Sequence, residues 1–174
     1  MDELKFAVIG NPVSHSLSPD IHLFFASQFQ LERYTYNKIK SNENDFERDI
    51  NDFFNNGGVG LNVTVPFKGL AYNLCDELDQ SAGLCKSVNT VLIDSGKLIG
   101  HSTDGQGLID DFLHKEITLE DSKILIIGAG GSAASIISSL LFHGKIKEIS
   151  ILNRTKSNAL KLLDLFETNR LLMH

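Results

Sequence analysis

The stretch KILIIGAGGSA at residues 123–133 constrains the fold of this chain more than any other part of the sequence. After Lys123 it begins with four apolar residues in a row, which is typical of a strand that is covered on both faces of a parallel sheet. A turn of small residues comes next, followed by an apolar stretch of helical length that stops at Gly144. The segment therefore predicts a strand, a tight turn and a helix of a parallel α/β structure.

The turn fits the pattern G-x-G-x-x-A, in which each small residue has its own role. Gly128 permits the tight turn, Gly130 lets the backbone approach a diphosphate, and Ala133 lets the helix pack on the strand. The N–H groups at the start of the helix would bind the phosphates. The predicted dinucleotide-binding residues are Gly128, Ala129, Gly130, Gly131, Ser132 and Ala133. The alternative is a glycine-rich turn that serves packing alone.

The next predicted strand, residues 148–153, ends in Asn153, Arg154 and Thr155, and a second helix is predicted over 156–167. A site for NAD usually carries Asp or Glu at this place, which binds the ribose hydroxyls and would repel a 2′-phosphate. An arginine, an amide and a hydroxyl suit that phosphate instead. The sequence therefore favours NADP as the cofactor. The alternative is that Arg154 is a solvated surface charge.

The part of the chain before residue 114 also alternates strands and helices. Strands are predicted over 6–9, 33–39 and 59–65, and a hairpin over 87–94 and 97–102. Between them lie a helix that Ser18 caps, a helix from Phe46 to Gly57 and a short helix at 69–74. The predicted apolar face of the first helix consists of Ile21, Phe24, Phe25 and Phe29.

A polar stretch, HKEITLEDS at 114–122, separates the two parts. We predict an α/β protein in which residues 1–115 form a substrate-binding domain with a mixed, mainly parallel sheet. Residues 116–174 would form the first part of a Rossmann-type domain, in which helices cover a parallel sheet. The two strands recognised there bury little apolar surface. We therefore expect this second domain to be incomplete, or its sheet to be covered by a partner.

The stretch NVTVPFKG at 62–69 places Lys68 at the end of a predicted strand, which the proline terminates. A partly desolvated lysine there could exchange a proton with a substrate hydroxyl, and it would need a carboxylate nearby. Asp104 follows Thr103, which can cap the next helix, and it is a candidate for that carboxylate. The alternatives are a surface lysine whose stem covers apolar groups and an Asp that complements the helix dipole.

The hydroxyls of the stretch SHSLS at 14–18 are placed to bind a polyhydroxylated or carboxylated ligand. A serine hydrolase is rejected because the G-x-S-x-G elbow is missing. The alternative for Ser18 is a plain helix cap. The six histidines show no metal-ligand spacing, so we predict no metal.

The net charge, the cysteines and the first residues of the sequence indicate which partners and which compartment to expect. The formal net charge of −6 argues against nucleic acid or an anionic membrane as partner. Cys75 and Cys85 are predicted to be reduced core thiols. The sequence begins with acidic residues and a short strand rather than a signal peptide, so we expect a cytoplasmic protein.

Taken together, the motifs GNPVSHSLSP, NVTVPFKG, SVNTV, STDGQG, GAGGSA and NRT resemble those of the shikimate dehydrogenase family, and they occur in the family's order. The resemblance implies a substrate domain followed by a Rossmann-type cofactor domain, with the active site between them. It implies reduction of 3-dehydroshikimate to shikimate with NADPH, in aromatic amino-acid biosynthesis.

The resemblance also implies roles for individual residues. Lys68 and Asp104 match the catalytic pair, and Ser16 and Ser18 match the hydroxyls that bind the substrate carboxylate. The groups that contact the ring hydroxyls are matched by Asn62, Thr64, Asn89 and Asp104. Residues 128–133 match the diphosphate loop, and the 2′-phosphate site is matched by Asn153, Arg154 and Thr155.

Three departures from the family accompany the match. Ser102 stands where the family usually has Asn, and Asn158 stands near a place often taken by a basic residue. The family's chains also continue well past residue 174.

Two alternative functions are kept beside the main one: a quinate/shikimate dehydrogenase and a non-catalytic shikimate-binding fragment. A homodimer is left open.

Overall fold

The computed structural model describes residues 3–143, 145–166 and 171–173, which form two compact units that are not consecutive in sequence. The first unit comprises Met1–Asp79 and Val88–His101, and the second comprises Gln80–Ser87 and Ser102–His174. The elements of the first unit are β1 Leu4–Gly10, α1 Ser18–Gln28, β2 Tyr34–Lys40, α2 Phe46–Asn55, β3 Gly58–Val63, α3 Lys68–Leu74, β4 Glu77–Leu78, β5 Thr90–Asp94 and β6 Lys97–His101. The elements of the second are α4 Gln80–Cys85, α5 Asp104–His114, β7 Lys123–Ile127, α6 Gly131–His143, β8 Glu148–Leu152, α7 Lys156–Phe166 and β9 Leu171–Met173.

The first unit contains a six-stranded mixed sheet in the order β2-β1-β3-β5-β6-β4. β1 lies parallel to both β2 and β3, while the hairpin β5–β6 adds to β3 in antiparallel orientation. Ala7, Val8 and Ile9 of β1 are buried, as expected for a parallel strand that is covered on both faces. The predicted mixed α/β sheet is confirmed.

The prediction for α1 is wrong in two respects. The helix begins at Ser18, and its N-cap residue is Leu17, which makes no side-chain cap hydrogen bond, so Ser18 is not the N-cap. The predicted apolar face is exposed, with Phe24 at 60% and Phe29 at 76% of full exposure, and Ile21 and Phe25 exposed as well. Apolar residues follow one another at 21 and 23–26, so the spacing did not single out the side around Ala26 that is buried.

The prediction for α2 is confirmed. Phe46, Ile50 and Phe54 are buried, and Gly57 follows the helix in the left-handed region at φ +83°. A glycine adopts that conformation without a steric penalty. The predicted hairpin turn also holds, since Ser95 and Gly96 both have positive φ.

The second unit contains three parallel strands in the order β7-β8-β9, joined by α6 and α7. The third strand, β9, was not predicted. In β7, Ile124 and Ile126 are partly buried, whereas Leu125 and Ile127 on the other side are exposed, which corrects the expectation of cover on both faces. Successive right-handed crossovers in one direction along a sheet place both helices on the same face. The predicted stop at Gly144 lies outside the described residues.

The core of the second unit draws residues from distant parts of the sequence. It joins Ile137 and Leu140 of α6 to Ile149 and Ile151 of β8, and Cys85 of α4 is also part of it. α4 and α5 both pack against α6. For this reason the units divide at other positions than the predicted boundary between residues 115 and 116. Among the described residues, no helix is long and apolar enough to cross a membrane.

Candidate functional site

A hydrogen-bonded cluster of polar side chains lies at the end of β3 in the first unit. The register of β3 against β5 sets Asn62 opposite Thr90. The Asn62 side-chain amide donates to Thr90 Oγ1 at 3.2 Å and to the backbone oxygen of Asn89 at 3.4 Å. Thr90 Oγ1 in turn donates to Asn89 Oδ1 at 3.2 Å. Two predicted ligand-binding residues, Asn62 and Asn89, are therefore brought together.

The two predicted serines form a second part of the same cluster. Ser16 Oγ donates to Ser18 Oγ at 3.1 Å and accepts from the Ser18 N–H at 3.3 Å. Both residues are partly buried at the start of α1. Their hydroxyls point into one region, and a hydroxyl pair of this kind can donate to a carboxylate.

Tyr36 joins the two parts, and the sequence analysis missed it. Its hydroxyl donates to Asn62 Oδ1 at 2.6 Å and is hydrogen-bonded to Ser18. Its ring is buried and stacks on His22, with the ring centroids 4.4 Å apart. A signal was present in the strand RYTYNKI, where alternation turns Tyr36 inward and a buried phenol needs a partner.

Lys68 is the first residue of α3, after the buried Phe67. The Val88 N–H donates to the Lys68 carbonyl at 3.0 Å, which ties this point to the segment that leads into Asn89. Thr64 lies directly after β3, and its N–H donates to the Ile9 carbonyl at 2.9 Å. The first unit thus carries Ser16, Ser18, Asn62, Thr64, Lys68 and Asn89 on the connected ends of its central strands.

The second unit carries the glycine turn. Gly128 has a φ of +119°, a region that favours glycine, and its N–H donates to the Leu152 carbonyl at 2.9 Å. A cavity of about 520 Å³ is lined by Ile127, Gly128, Leu152, Asn153 and Arg154. A Cβ atom added at Gly128 or Gly130 would meet none of the described atoms within 4 Å, so a ligand can approach both.

These residues fit a dinucleotide that carries an extra phosphate. α6 begins at Gly131, within the turn, and the start of a helix favours a bound phosphate. Arg154 is exposed and lines the cavity. The Asn153 side-chain amide donates to the Thr155 carbonyl at 2.8 Å, which shapes the segment that presents Arg154. In the part of the chain that the structure describes, no group of three or more His, Cys, Asp or Glu could hold a metal ion.

Asp104 belongs to the second unit and lies at the start of α5. Ser132 Oγ of the glycine turn donates to Asp104 Oδ2 at 3.3 Å. Lys68 belongs to the first unit, so the pairing of Lys68 with Asp104 stays a prediction.

Cys75 and Cys85 are both free thiols, partly buried and buried respectively. Burial raises the pKa of Cys75 to about 11, and the charge of Asp76 adds to that shift.

Two family models match this sequence. One, described as the shikimate dehydrogenase substrate binding domain, matches residues 8–91. The other, described as shikimate / quinate 5-dehydrogenase, matches residues 112–174. Together they match most of the chain and leave residues 1–7 and 92–111 unmatched.

Relatives agree with these models. A protein named shikimate dehydrogenase (NADP(+)) from Acinetobacter baylyi is 43% identical over 159 residues, which are 91% of this chain and 60% of that protein. The shikimate dehydrogenase structure from Aquifex aeolicus has a TM-score of 0.89 at 30% identity, covering 99% of this chain and 62% of that one. A Thermus thermophilus shikimate 5-dehydrogenase in complex with NADP(H) and shikimate has a TM-score of 0.86 at 30% identity, covering 98% and 62%. The chain thus spans about three fifths of the length of the relatives it matches.

Proposed function

Because this chain belongs to the shikimate dehydrogenase family, we propose that it carries the substrate and cofactor sites for reversible, NADPH-dependent reduction of 3-dehydroshikimate to shikimate. The observation that carries the proposal is the polar cluster of the first unit. Ser16 and Ser18 lie in one segment, and Asn62 and Asn89 lie in two others. Hydrogen bonds through Tyr36 and Thr90 connect the three segments. Hydroxyls and amides in this arrangement suit a ligand with a carboxylate and several ring hydroxyls.

The first unit would bind and orient the substrate. The Ser16 and Ser18 hydroxyls donate to the carboxylate, while Asn62, Thr64 and Asn89 bind the ring hydroxyls. Thr64 and Lys68 are four residues apart, on either side of a turn that the Phe67 N–H closes by donating to the Thr64 carbonyl at 3.0 Å. We therefore expect the ammonium and the threonine to bind the same ligand. Lys68 then gives a proton to the carbonyl oxygen during reduction and takes it back during oxidation. Asp104 accepts a hydrogen bond from the ammonium or the substrate hydroxyl and orients it.

The second unit would hold NADP. When bound, the nicotinamide supplies the hydride chemistry. The turn residues 128–133 bind the diphosphate through backbone N–H groups, and Asn153, Arg154 and Thr155 surround the 2′-phosphate. The exposed side chain of Arg154 supports a preference for NADP over NAD.

We expect Arg154→Ala to weaken NADP⁺ binding about tenfold or more and to leave NAD⁺ binding unchanged, because only NADP⁺ has the 2′-phosphate. Lys161→Ala on α7 is the control.

The experiment that tests the proposal replaces Lys68 by Ala. We expect turnover of shikimate with NADP⁺ to fall about 100-fold or more, because the proton at the reacting oxygen loses its partner. Binding of shikimate, measured by calorimetry, should change far less. The control is Lys97→Ala in the hairpin, whose ammonium lies 2.6 Å from Glu77. Equal losses of binding and turnover in Lys68→Ala would contradict the acid–base role.

Two related functions give different results in the same assays. The second family model is named for quinate as well as shikimate, so kinetics with quinate and NAD⁺ would reveal a quinate/shikimate dehydrogenase. A chain that binds shikimate without turning it over would instead be a non-catalytic binding fragment. Retention of both Lys68 and Asp104 supports the enzyme.

We place the protein in the cytoplasm, with small molecules as its ligands and with neither nucleic acid nor membrane as a partner. The net charge of −6 supports the exclusion of anionic partners. Exposed apolar side chains on α1 and directly after it, including Phe24 and Phe29, support a homodimer. Sedimentation of the chain at several concentrations would test it, and a monomer at all of them would contradict it.

A further inference from the structure

In α5, the helix that carries Asp104, the N-cap residue Thr103 makes no side-chain cap hydrogen bond. The first N–H groups of a helix have no partner inside the helix. Gly105 carries one of these groups, and it is buried, where an unpaired N–H would cost free energy.

A serine from another helix supplies the missing cap. The Gly105 N–H donates to Ser135 Oγ at 3.0 Å. Ser135 lies in α6, one turn after the glycine turn, and it is 2% exposed. Its hydroxyl therefore does for α5 what an N-cap side chain ordinarily does for its own helix.

The two helices also approach each other closely at this point. A Cβ atom added to Gly105 would overlap the Ser135 carbonyl oxygen and Ser139 Oγ. The backbones of α5 and α6 are therefore nearly in contact, which leaves the first turn of α5 little room to shift along or away from α6.

A second hydrogen bond ties the segment on the other side of Asp104 to the same serine. The hydroxyls of Ser102 and Ser135 are 2.9 Å apart, and both are buried. Cys85 of α4 donates its S–H to Ser102 Oγ at 3.3 Å. Since a hydroxyl can accept two hydrogen bonds and donate one, Ser135 can hold both Ser102 and Gly105.

The glycine turn contacts the carboxylate itself. Ser132 Oγ donates to Asp104 Oδ2 at 3.3 Å. Ser132 and Ser135 are three residues apart and so lie on one face of α6. That face meets residues 102, 104 and 105 in succession.

From these contacts we propose that Ser135 is a positioning residue, which holds residues 102–105 against α6 and thereby sets the place of the Asp104 carboxylate. Ser132 adds a direct contact to that carboxylate. The helix whose first turn forms the predicted diphosphate site is thus also the support for the predicted acid–base group. The catalytic consequence rests on the proposed function, whereas the anchoring itself does not.

The anchoring is tested by amide hydrogen exchange in the full chain. We expect Ser135→Ala to speed exchange of the Gly105 N–H about tenfold or more, because its acceptor is lost. The control is Ser138→Ala in the same helix, which should leave that rate unchanged. The carbon signal of the Asp104 carboxyl group should shift in Ser135→Ala and stay in place in Ser138→Ala. Equal exchange rates and equal signals in the two variants would overturn the proposal.

The consequence for catalysis is tested by steady-state kinetics with shikimate and NADP⁺. We expect Ser135→Ala to lower kcat about tenfold while KM for shikimate changes about twofold or less, because Asp104 is displaced and the substrate contacts of the first unit remain. In Ser135→Ala the Ser102 hydroxyl loses its partner, whereas the double variant Ser102→Ala/Ser135→Ala removes both hydroxyls. The double variant should therefore regain part of the thermal stability that Ser135→Ala loses, and it should keep the low kcat. Recovery of kcat together with stability would reduce Ser135 to a structural role and overturn the proposal. If the wild-type chain shows no turnover, the proposed activity fails, and the exchange rates and the carboxyl signal still decide the anchoring.

Discussion

At the scale of single residues, Tyr36 determines how the substrate cluster is arranged. Its hydroxyl donates to Asn62 and is hydrogen-bonded to Ser18, two residues that are 44 positions apart. Burial raises the pKa of Tyr36 to about 12, the hydrogen bond with Ser18 lowers it, and the charge of Tyr34 raises it. The phenol therefore stays protonated at neutral pH and fixes the Asn62 amide with its N–H groups directed towards Asn89 and Thr90.

We expect Tyr36→Phe to weaken shikimate binding about tenfold, because the Asn62 amide loses the partner that orients it. Calorimetric titration with shikimate measures the change. Tyr34→Phe is the control, since Tyr34 stacks on Phe6 with the ring centroids 5.1 Å apart and is not part of the cluster. An unchanged affinity in Tyr36→Phe would show that Asn62 needs no such support.

The same phenol gives the stability a dependence on alkaline pH. A tyrosine whose pKa is about 12 in the folded state and 10.0 when unfolded keeps its proton longer in the folded state. Between these values the unfolded state binds fewer protons, so stability falls as pH rises from 10 to about 12. Cys75, with a pKa raised from 9.0 to about 11, adds a similar loss that starts lower.

Urea unfolding at pH 8, 10, 11 and 12 would measure this loss. The wild-type midpoint should decline over that range, and Tyr36→Phe should decline less above pH 10. A variant that declines as steeply as the wild type would show that another group is responsible.

Sequence patterns indicate candidate groups of the site more readily than the residues that support them. Asn62 lies in β3, and Lys68 and Gly128 follow strands, all in recognisable motifs that mark them as candidates. Tyr36 and Ser135 act through hydrogen bonds to residues that are distant in sequence, and a single sequence does not contain those pairings. α6 contains four serines, at 132, 135, 138 and 139, and the sequence does not single out Ser135 as the buried one.

At the scale of helices and strands, α1 and α2 show when spacing predicts a buried face. In α2, charged and polar residues separate the apolar ones, so the pattern identifies the face that contains Ile50. In α1, apolar residues occur on nearly all sides, and the choice of Phe24 and Phe29 was wrong. The sequence predicted the existence of α1 but could not predict its orientation.

The contact between α5 and α6 predicts opposite effects for two glycines of one helix. Gly105→Ala should destabilise the protein by about 1–3 kcal/mol, because the new methyl group would overlap α6. Gly107 is exposed, and its added Cβ would meet none of the described atoms within 4 Å. Gly107→Ala should therefore stabilise the helix by about 0.5–1 kcal/mol. Thermal unfolding of both variants tests this, and a loss of the same size in each would contradict the close approach.

At the scale of the whole molecule, the described buried residues of the two units belong to separate clusters. Residues of α6, β8 and α7 lie in one cluster, against which Ile124 and Ile126 of β7 pack, and Val8, Val13 and Tyr36 belong to another. Each unit can therefore lose stability by itself.

We expect Ile149→Ala to lower the stability of the second unit by about 2–5 kcal/mol, because this side chain is completely buried and leaves a cavity. Hydrogen exchange should speed up for the amides of β8 and stay nearly unchanged for those of β1. Val59→Ala, at an exposed position of β3, is the control. Equal acceleration in both units would show that they unfold together.

The broad architecture was predictable because strand, glycine turn and helix follow each other in a strict order. The positions at which the chain divides into two units were harder to predict from the sequence. The short α4 has no strong periodicity, and its assignment to the second unit depends on contacts with α6, which begins at residue 131. The polar stretch at 114–122 marks a loop of the second unit between α5 and β7.

The interleaved path of the chain has a consequence during biosynthesis. Residues 80–87 are synthesised about 50 residues before α6, the helix against which they pack in the folded protein. At about 5–20 residues per second, the delay between the synthesis of the two segments is about 3–10 s. The nascent polypeptide thus holds Ala82 and Cys85 in water while the strands of the first sheet are already pairing. We expect a stalled nascent chain that ends before residue 131 to be cut readily by proteases at this segment.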